Sequence, residues 1–236
     1  MGGPEEKARL LSLTDILEPL SRREVEELGR RLQDVALERG EVLYSPGQRS
    51  EALFILRRGR MRVYRMVGSR ELTLAVVREG TVFGEIPLTA QRVHGSFAEA
   101  AEPSEISVLG RDDLKELILS HPEVGLRLVE LLGERLGTQE ERLAEIALKD
   151  VPSRLASSIL RLVEGEGVVK GGVYEVATPY THRELAAMIG ANREAVTNAL
   201  GDLRRAGMIE VRRRRIRVKD LPALGRVAGW LPQDLP

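Results

Sequence analysis

Arg193, Glu194, Thr197 and Asn198 carry the densest chemical information in this 236-residue chain. Their spacing places all four on one face of a helix. The chemistry they offer is recognition rather than bond-making. An arginine presents a forked donor to guanine, a glutamate accepts from the cytosine amino group, and an asparagine pairs with adenine. Arg205 extends the polar face toward phosphates. Such a helix must be held out rigidly, and the flanking residues are suited to do it. Thr181 is a good N-cap, and Glu184 three residues later completes a capping box. Leu185, Met188 and Ile189 share a face, Gly190 can end the helix in the left-handed conformation, and Asn192 can cap the next one. Ala195, Val196, Ala199, Leu200 and Leu203 then form the inward stripe. Small residues at Ala186, Ala187 and Ala195 allow two helices to cross closely, as in a helix-turn-helix. An ordinary αα-hairpin with a solvated outer face would show the same pattern.

The next segment separates the two readings. Met208–Val218 reads MIEVRRRRIRV, which is strand, charged turn and strand. Four consecutive arginines make a poor core element and a good phosphate-contacting wing, so Arg212, Arg213 and Arg214, with Arg215, join the candidate DNA-binding residues. A helix-turn-helix followed directly by a basic hairpin is far more specific than either alone.

The whole chain has zero formal net charge, but its halves differ. From Val151 onward there are 14 basic and 9 acidic residues, leaving 22 basic and 27 acidic before that point. Only the C-terminal part is suited to meet nucleic acid. The absence of cysteine excludes disulfides, thiolate catalysis and cysteine-ligated clusters. No apolar run approaches the ~18 residues of a membrane span, and the charged N-terminus is unlike a signal peptide. A cytoplasmic protein without a membrane partner is expected. No phosphate-cradling glycine loop with its lysine, metal-ligand cluster or nucleophile–base pairing is present, so no enzyme, cofactor or metal is expected.

The N-terminal half reads differently. Ser21–Leu37, with Val25, Leu28, Leu32 and Val35 apolar, suits an amphipathic helix. From Glu41 to Val108, six to eight short β-rich runs are punctuated by Gly47, Gly59, Gly80 and Gly84, the pattern of an antiparallel barrel or jelly roll. A short helix over Leu114–Leu119 precedes a longer one, from Pro122 to about Lys149. That helix carries Val129, Leu132, Leu136, Gln139, Leu143 and Ile146 at spacings of three and four, a coiled-coil seam with one polar member. Leu128 and Leu131 lie on another flank, available to the barrel. A helix with two apolar flanks needs two partners, so a homodimer is expected. Asp150 reads as hinge and N-cap, and Val151–Val163 as the first helix of the DNA-reading part. The fold class is therefore α+β. An N-terminal β jelly-roll domain covers residues 1–120, a dimerisation helix and hinge 121–150, and a winged helix-turn-helix 151–236.

Barrel, dimer helix and winged helix-turn-helix in this order resemble the CRP/FNR family of bacterial transcription regulators over roughly residues 15–220. The strongest carriers are G-T-V-F-G-E at Gly80–Glu85 and G-A-N-R-E-A-V-T-N-A-L at Gly190–Leu200. The resemblance implies a homodimer that binds a near-palindromic double-stranded promoter site, bends it, and acts with RNA polymerase, by family habit as an activator. It assigns base reading to Arg193 and Glu194 and a phosphate contact to Thr181, with His182 where a basic residue is common. A third reader, often arginine in the family, is Asn198 here, which shifts the preference at that position.

In the family's barrel a Gly-Glu pair meets a nucleotide ribose, and an Arg-Ser pair holds the cyclic phosphate. Gly84 and Glu85 match the first pair. His94 and Gly95 stand at the second and supply neither guanidinium nor hydroxyl, while Arg92 lies two residues away. Gln139 and Glu140 replace a Thr-Ser pair that meets the adenine. These departures argue for a degenerate pocket, with cyclic AMP absent and the effector unknown or lacking. Haem is disfavoured because His94 and His121 read as isolated structural or surface residues. The competing reading is a small-molecule sensing module that regulates a partner protein, which would not need the arginine wing. The segment Leu221–Pro236, with the only tryptophan, Trp230, extends past the usual family end and either packs on the wing or trails in solvent.

Overall fold

The computed structural model describes residues 4–90 and 93–231. Arg92 and the outermost termini lie outside the described residues. Two compact units divide within the long helix at Gly137–Thr138.

The first unit opens with helices α1 (Pro4–Leu11) and α2 (Arg22–Arg31). A Ser21–Glu24 capping box starts α2. Eight strands follow: β1 (Gln33–Leu37), β2 (Val42–Tyr44), β3 (Ala52–Arg58), β4 (Met61–Val67), β5 (Arg70–Val77), β6 (Val82–Phe83), β7 (Phe97–Ala100) and β8 (Ser104–Gly110). They form two four-stranded sheets, ordered β1-β8-β3-β6 and β2-β7-β4-β5. Strand β3 explains how the layers stack. Its run LFIL is buried on both faces, with Phe54 and Leu56 in the core lined by Tyr44, Met61, Phe83 and Ile106. Leu53 and Ile55 point the other way, into a cluster with Leu17, Val25, Leu114 and Val124 from the helical segments. A continuous apolar run, rather than alternation, is what a strand covered on both sides requires.

The expected helix over Ser21–Leu37 is corrected. It stops at Arg31, Leu32 takes an extended conformation, and Gln33–Leu37 pairs antiparallel with β8. Val25, Leu28 and Leu32 do share a helical face, but Val35 and Leu37 alternate onto the barrel core. A four-residue apolar spacing fits both periods, and tertiary pairing decides between them.

Helices α3 (Arg111–Ser120) and α4 (Pro122–Leu148) come next. Leu128 of α4 is buried in the barrel-side cluster and Leu131 packs against it, as their flank position suggests. At α4's far end, Glu145 accepts from Arg161 at 2.8 Å and from Lys149 at 3.0 Å.

The second unit contains α5 (Val151–Glu166), the hairpin β9 (Gly167–Lys170) and β10 (Val173–Val176), α6 (His182–Ile189), α7 (Arg193–Arg205), β11 (Ile209–Arg212), β12 (Arg215–Val218) and α8 (Leu221–Ala228). Its sheet has the order β11-β12-β10-β9. Asp150 caps α5 by accepting from the Ser153 N–H. One core joins Leu155, Ile159, Leu185, Val196, Leu200, Ile216 and Leu224. The described part of the C-terminal extension, Leu221–Leu231, packs neither as a tail nor chiefly on the wing; residues 232–236 lie outside the described residues. Leu224 and Ala228 are buried in the same core, with Trp230 against it, and the Ser157 hydroxyl of α5 donates to the Ala228 carbonyl at 3.4 Å.

Candidate nucleic-acid interface and barrel interior

Local rules build the α6–α7 pair residue by residue. Thr181 Oγ1 accepts from the Glu184 N–H at 3.2 Å and donates to the Glu184 carboxylate at 2.7 Å, while that carboxylate also accepts from the Thr181 N–H. Gly190 ends α6 at φ 61°, ψ 40°, where a residue with a Cβ would be disfavoured. Asn192 Oδ1 accepts from the Ala195 N–H at 2.7 Å and starts α7. Val196, Ala199, Leu200 and Leu203 face inward. Arg193, Glu194, Thr197 and Asn198 are exposed together on the opposite side.

Four of the sequence candidates, Thr181, His182, Thr197 and Arg205, are already engaged. Thr197 Oγ1 donates to the Arg193 carbonyl at 2.9 Å and lies 2.8 Å from His182 Nδ1. The Thr181 hydroxyl is committed to its capping box. Arg205 pairs with Asp202 at the end of α7.

Sequence reasoning passed over the residue that ties these parts together. Tyr180 is buried. Its hydroxyl donates to Glu166 at the end of α5 at 2.6 Å, and its N–H donates to the Arg214 carbonyl in the wing turn at 2.9 Å. Glu166 also accepts from Thr178. The only advance signal was a tyrosine directly before a capping box.

In the wing, Arg212, Arg213 and Arg214 are all exposed. The strands pair Arg212 with Arg215, so the turn is tighter than the four-arginine run suggested.

The barrel interior is organised around Glu85. His94 is 3% exposed, and its Nδ1 hydrogen-bonds Glu85 Oε2. The Gly95 N–H donates to Glu85 Oε1 at 3.0 Å. The His94 ring stacks on Tyr44, with centroids 3.8 Å apart and planes 10° from parallel. Its backbone is pinned as well, by the bond from the His94 N–H to the Gln48 carbonyl and by the Gly47 N–H that donates to the His94 carbonyl. Burial, reinforced by the Glu85 charge, raises the Tyr44 phenol above its ordinary range. Burial lowers the Arg135 guanidinium, which donates to the Val82 carbonyl. Gly84 sits at φ 95°, where a Cβ would come within 2.9 Å of the Phe54 ring. Gly84, Glu85, His94 and Gly95 are thus brought together, and Gln139 is exposed on α4. His94 is not isolated, and neither is His121, whose Nε2 lies 2.9 Å from Glu24. Both are structural members of partnered pairs.

The α4 seam is solvent-facing. Val129, Leu136 and Leu143 are 66%, 61% and 68% exposed, and Leu132 and Ile146 are exposed beside them. Leu126, at 65%, extends the same stripe by one turn and was absent from the sequence seam. No helix among the described residues is long and apolar enough to cross a membrane.

Comparison with known proteins matches both units. Residues 34–121 match the cyclic nucleotide-binding domain family and residues 153–227 the Crp-like helix-turn-helix domain family. A CRP-like cAMP-activated global transcriptional regulator of Mycobacterium tuberculosis is 28% identical over 220 residues, covering 93% of this chain and 98% of the relative. A global nitrogen regulator of Synechocystis is 30% identical over 205 residues, covering 84% of this chain and 91% of the relative. Among solved structures, a transcriptional regulator of the CRP/FNR family from Thermus thermophilus superposes with a TM-score of 0.70 at 29% identity, covering 84% of this chain and 98% of that one.

Proposed function

Since the chain belongs to the CRP/FNR family of transcription regulators, we propose that it binds promoter DNA as a homodimer and activates transcription without cyclic AMP. The family consists of regulators, not enzymes. In this reading residues 1–120 form the barrel domain, 121–150 the dimerisation helix and hinge, and 151–236 the DNA-reading domain. Helix α7 enters the major groove and reads bases through Arg193, Glu194 and Asn198. His182 and Thr197 brace that helix near the backbone, and Asn192 and Thr181 set the two helix starts. The exposed apolar stripe on α4 is the seam for a second copy, because large aliphatic side chains at heptad spacing gain by burial against their equivalents. RNA polymerase is the partner expected of an activator in the cytoplasm.

The observation that carries cyclic-AMP independence is the internal pairing of Glu85. Both of its oxygens already accept, from His94 and from the Gly95 backbone. A nucleotide would have to displace those bonds and the Tyr44–His94 stack, and would then find no guanidinium at His94 for its phosphate. The mycobacterial relative is cAMP-activated by name, so the two chains should differ here.

Selection of bound sequences from a random duplex pool, repeated with and without cyclic AMP, tests the proposal. A two-fold symmetric consensus at unchanged affinity is expected in both arms. Binding that appears only with cyclic AMP would overturn the effector-independent reading, and no enriched sequence in either arm would overturn the regulator's direct DNA reading.

A further inference from the structure

The link from α4 to α5 is only Lys149 and Asp150. A link this short is a natural swivel, since a change at one φ or ψ redirects everything after it. Side chains bridge it here. Arg161 of α5 donates to Glu145 of α4 through both terminal nitrogens, Nη1 to Oε1 at 3.1 Å and Nη2 to Oε2 at 2.8 Å. Two parallel bonds of this kind fix orientation as well as distance. Lys149 Nζ donates to Glu145 Oε1 at 3.0 Å and, across the corner, to the buried Ser157 hydroxyl at 3.0 Å. An ammonium can only donate, so Ser157 accepts from Lys149 and gives its own proton to the Ala228 carbonyl at 3.4 Å. That carbonyl belongs to the last residue of α8, where helical carbonyls have no partner within the helix. A continuous polar chain therefore runs from α8 through α5 to α4.

Glu145 is the keystone of that chain. Its side chain is only 12% exposed. Burial opposes its ionisation, but the bonds from Arg161 and Lys149 outweigh this and hold the carboxyl down at about 2. It stays charged throughout the neutral range, so the corner is held steadily rather than switched by pH. Arg142 lies one turn earlier on the same face, its guanidinium lowered by burial and by repulsion from Arg161. Removing the Glu145 charge would set these cations against one another across the corner. On the α8 side, Leu224 and Ala228 are fully buried in the core that α5 shares, so the far end of the chain is anchored by packing.

We infer that Glu145, Lys149 and Ser157, anchored by α8, are positioning residues that fix the angle between α4 and α5 and so set which separation of DNA half-sites a dimer of this chain accepts. Leu143 and Ile146 of the proposed dimer seam lie in the same turns of α4 as Glu145 and are exposed. A pair of chains joined there presents its two recognition helices according to how each α5 leaves its α4. One extra base pair between half-sites moves one of them by about 3.4 Å and turns it by about 35°. A free swivel at Lys149–Asp150 would follow such a change at little cost, whereas a corner braced by bonds on both sides resists it. The inference rests on the reading of the chain as a DNA-binding homodimer and deepens it, since it names the residues that would make spacing part of its specificity.

The test uses duplexes carrying two copies of the selected half-site, with the preferred spacer and with spacers one base pair longer and shorter. Affinity is read by fluorescence anisotropy, and folding by thermal unfolding. Wild type is expected to lose at least about tenfold in affinity at either altered spacer. Glu145→Gln should cut that penalty to about threefold or less, and Ser157→Ala, which leaves the Glu145–Arg161 pair in place, to about fivefold. Glu164→Gln makes the same change of charge at an exposed position of α5 and should keep the wild-type penalty. A full penalty in folded Glu145→Gln would overturn the inference, even if its stability fell, because the bonds would then hold the fold and not the spacing. Relaxation in Glu164→Gln would overturn it as well. A full penalty in Ser157→Ala would remove Ser157 and α8 from the brace, and if Glu145→Gln does not fold, the same result would overturn the whole. Wild type that binds no duplex, or binds every spacing alike, would instead sink the homodimeric DNA reading.

Discussion

The barrel and the DNA-reading unit use polar residues in opposite ways. Inside the barrel, Glu85, His94 and the Gly95 N–H satisfy one another, and the His94 ring lies flat on Tyr44. On α7, Arg193, Glu194 and Asn198 point outward, and their side chains form no ion pair with any described residue. A buried polar group must find its partner within the fold, because leaving it unmatched costs about 1–3 kcal/mol. A recognition surface must do the reverse and leave its donors available. The same contrast recurs within the wing, where Arg215 and Arg217 are answered by Glu175 and the turn arginines are not. Self-satisfaction marks structure here, and polar groups left open mark the surface offered to a partner.

The strongest way to break this contrast is His94→Ala. It removes a ring stacked on Tyr44 and leaves Glu85 with the Gly95 N–H alone. Cavity formation beside a buried aromatic and an under-satisfied carboxylate together should destabilise the protein by about 3–5 kcal/mol. Urea unfolding measures this directly. DNA affinity under conditions where the variant remains folded should stay at the wild-type value. A variant of full stability would mean that the pairing contributes nothing. A folded variant that loses DNA binding would mean the barrel interior controls the head.

Arg193→Ala makes the converse statement. The side chain is exposed, so unfolding should move by no more than about 0.5 kcal/mol. DNA binding should weaken by about 1–3 kcal/mol, with preference relaxed at one base pair of each half-site. A competition assay against single-base variants of the selected site separates this from a phosphate contact alone. Equal loss on every sequence would remove Arg193 from base reading.

The two regions also differed in how far they could be read from sequence. The DNA-reading head follows short-range rules: the Thr181–Glu184 box, the left-handed Gly190 and the Asn192 and Asp150 caps each depend on residues within four positions. Those residues form the same local bonds in nearly any tertiary setting, so the helix-turn-helix was legible, as was the start of α4 at Pro122. The barrel depends on register between distant strands. Gln33–Leu37 became a strand because β8 pairs with it across some seventy residues. His94 met Glu85 and Tyr44 only through the loop geometry that pins its backbone, and no periodicity encodes such a meeting. The β9–β10 hairpin and the docking of α8 on α5 were missed for a related reason. Each is a short element whose stability comes from the core it completes, with little local signal of its own.

Tyr180 lies between these extremes, and its variant is expected to have the smallest effect. It is a long-range connector directly beside a local motif. Its hydroxyl reaches back to Glu166, and its backbone reaches across to the wing. Tyr180→Phe deletes only the first of these. Glu166 would retain the Thr178 hydroxyl as a donor, and the backbone bond to Arg214 would survive, so stability should fall by about 1 kcal/mol. The consequence for DNA depends on what holds the wing in place. If the ring and its N–H suffice, affinity stays within about twofold and the contrast between a rigid interior and an open surface is kept. If the hydroxyl is needed to seat Tyr180, the turn loses its anchor, and affinity should drop with a flattened salt dependence. Measuring Tyr180→Phe beside the wild type in one salt series decides whether the wing is positioned by its own ladder or by the residue that precedes α6.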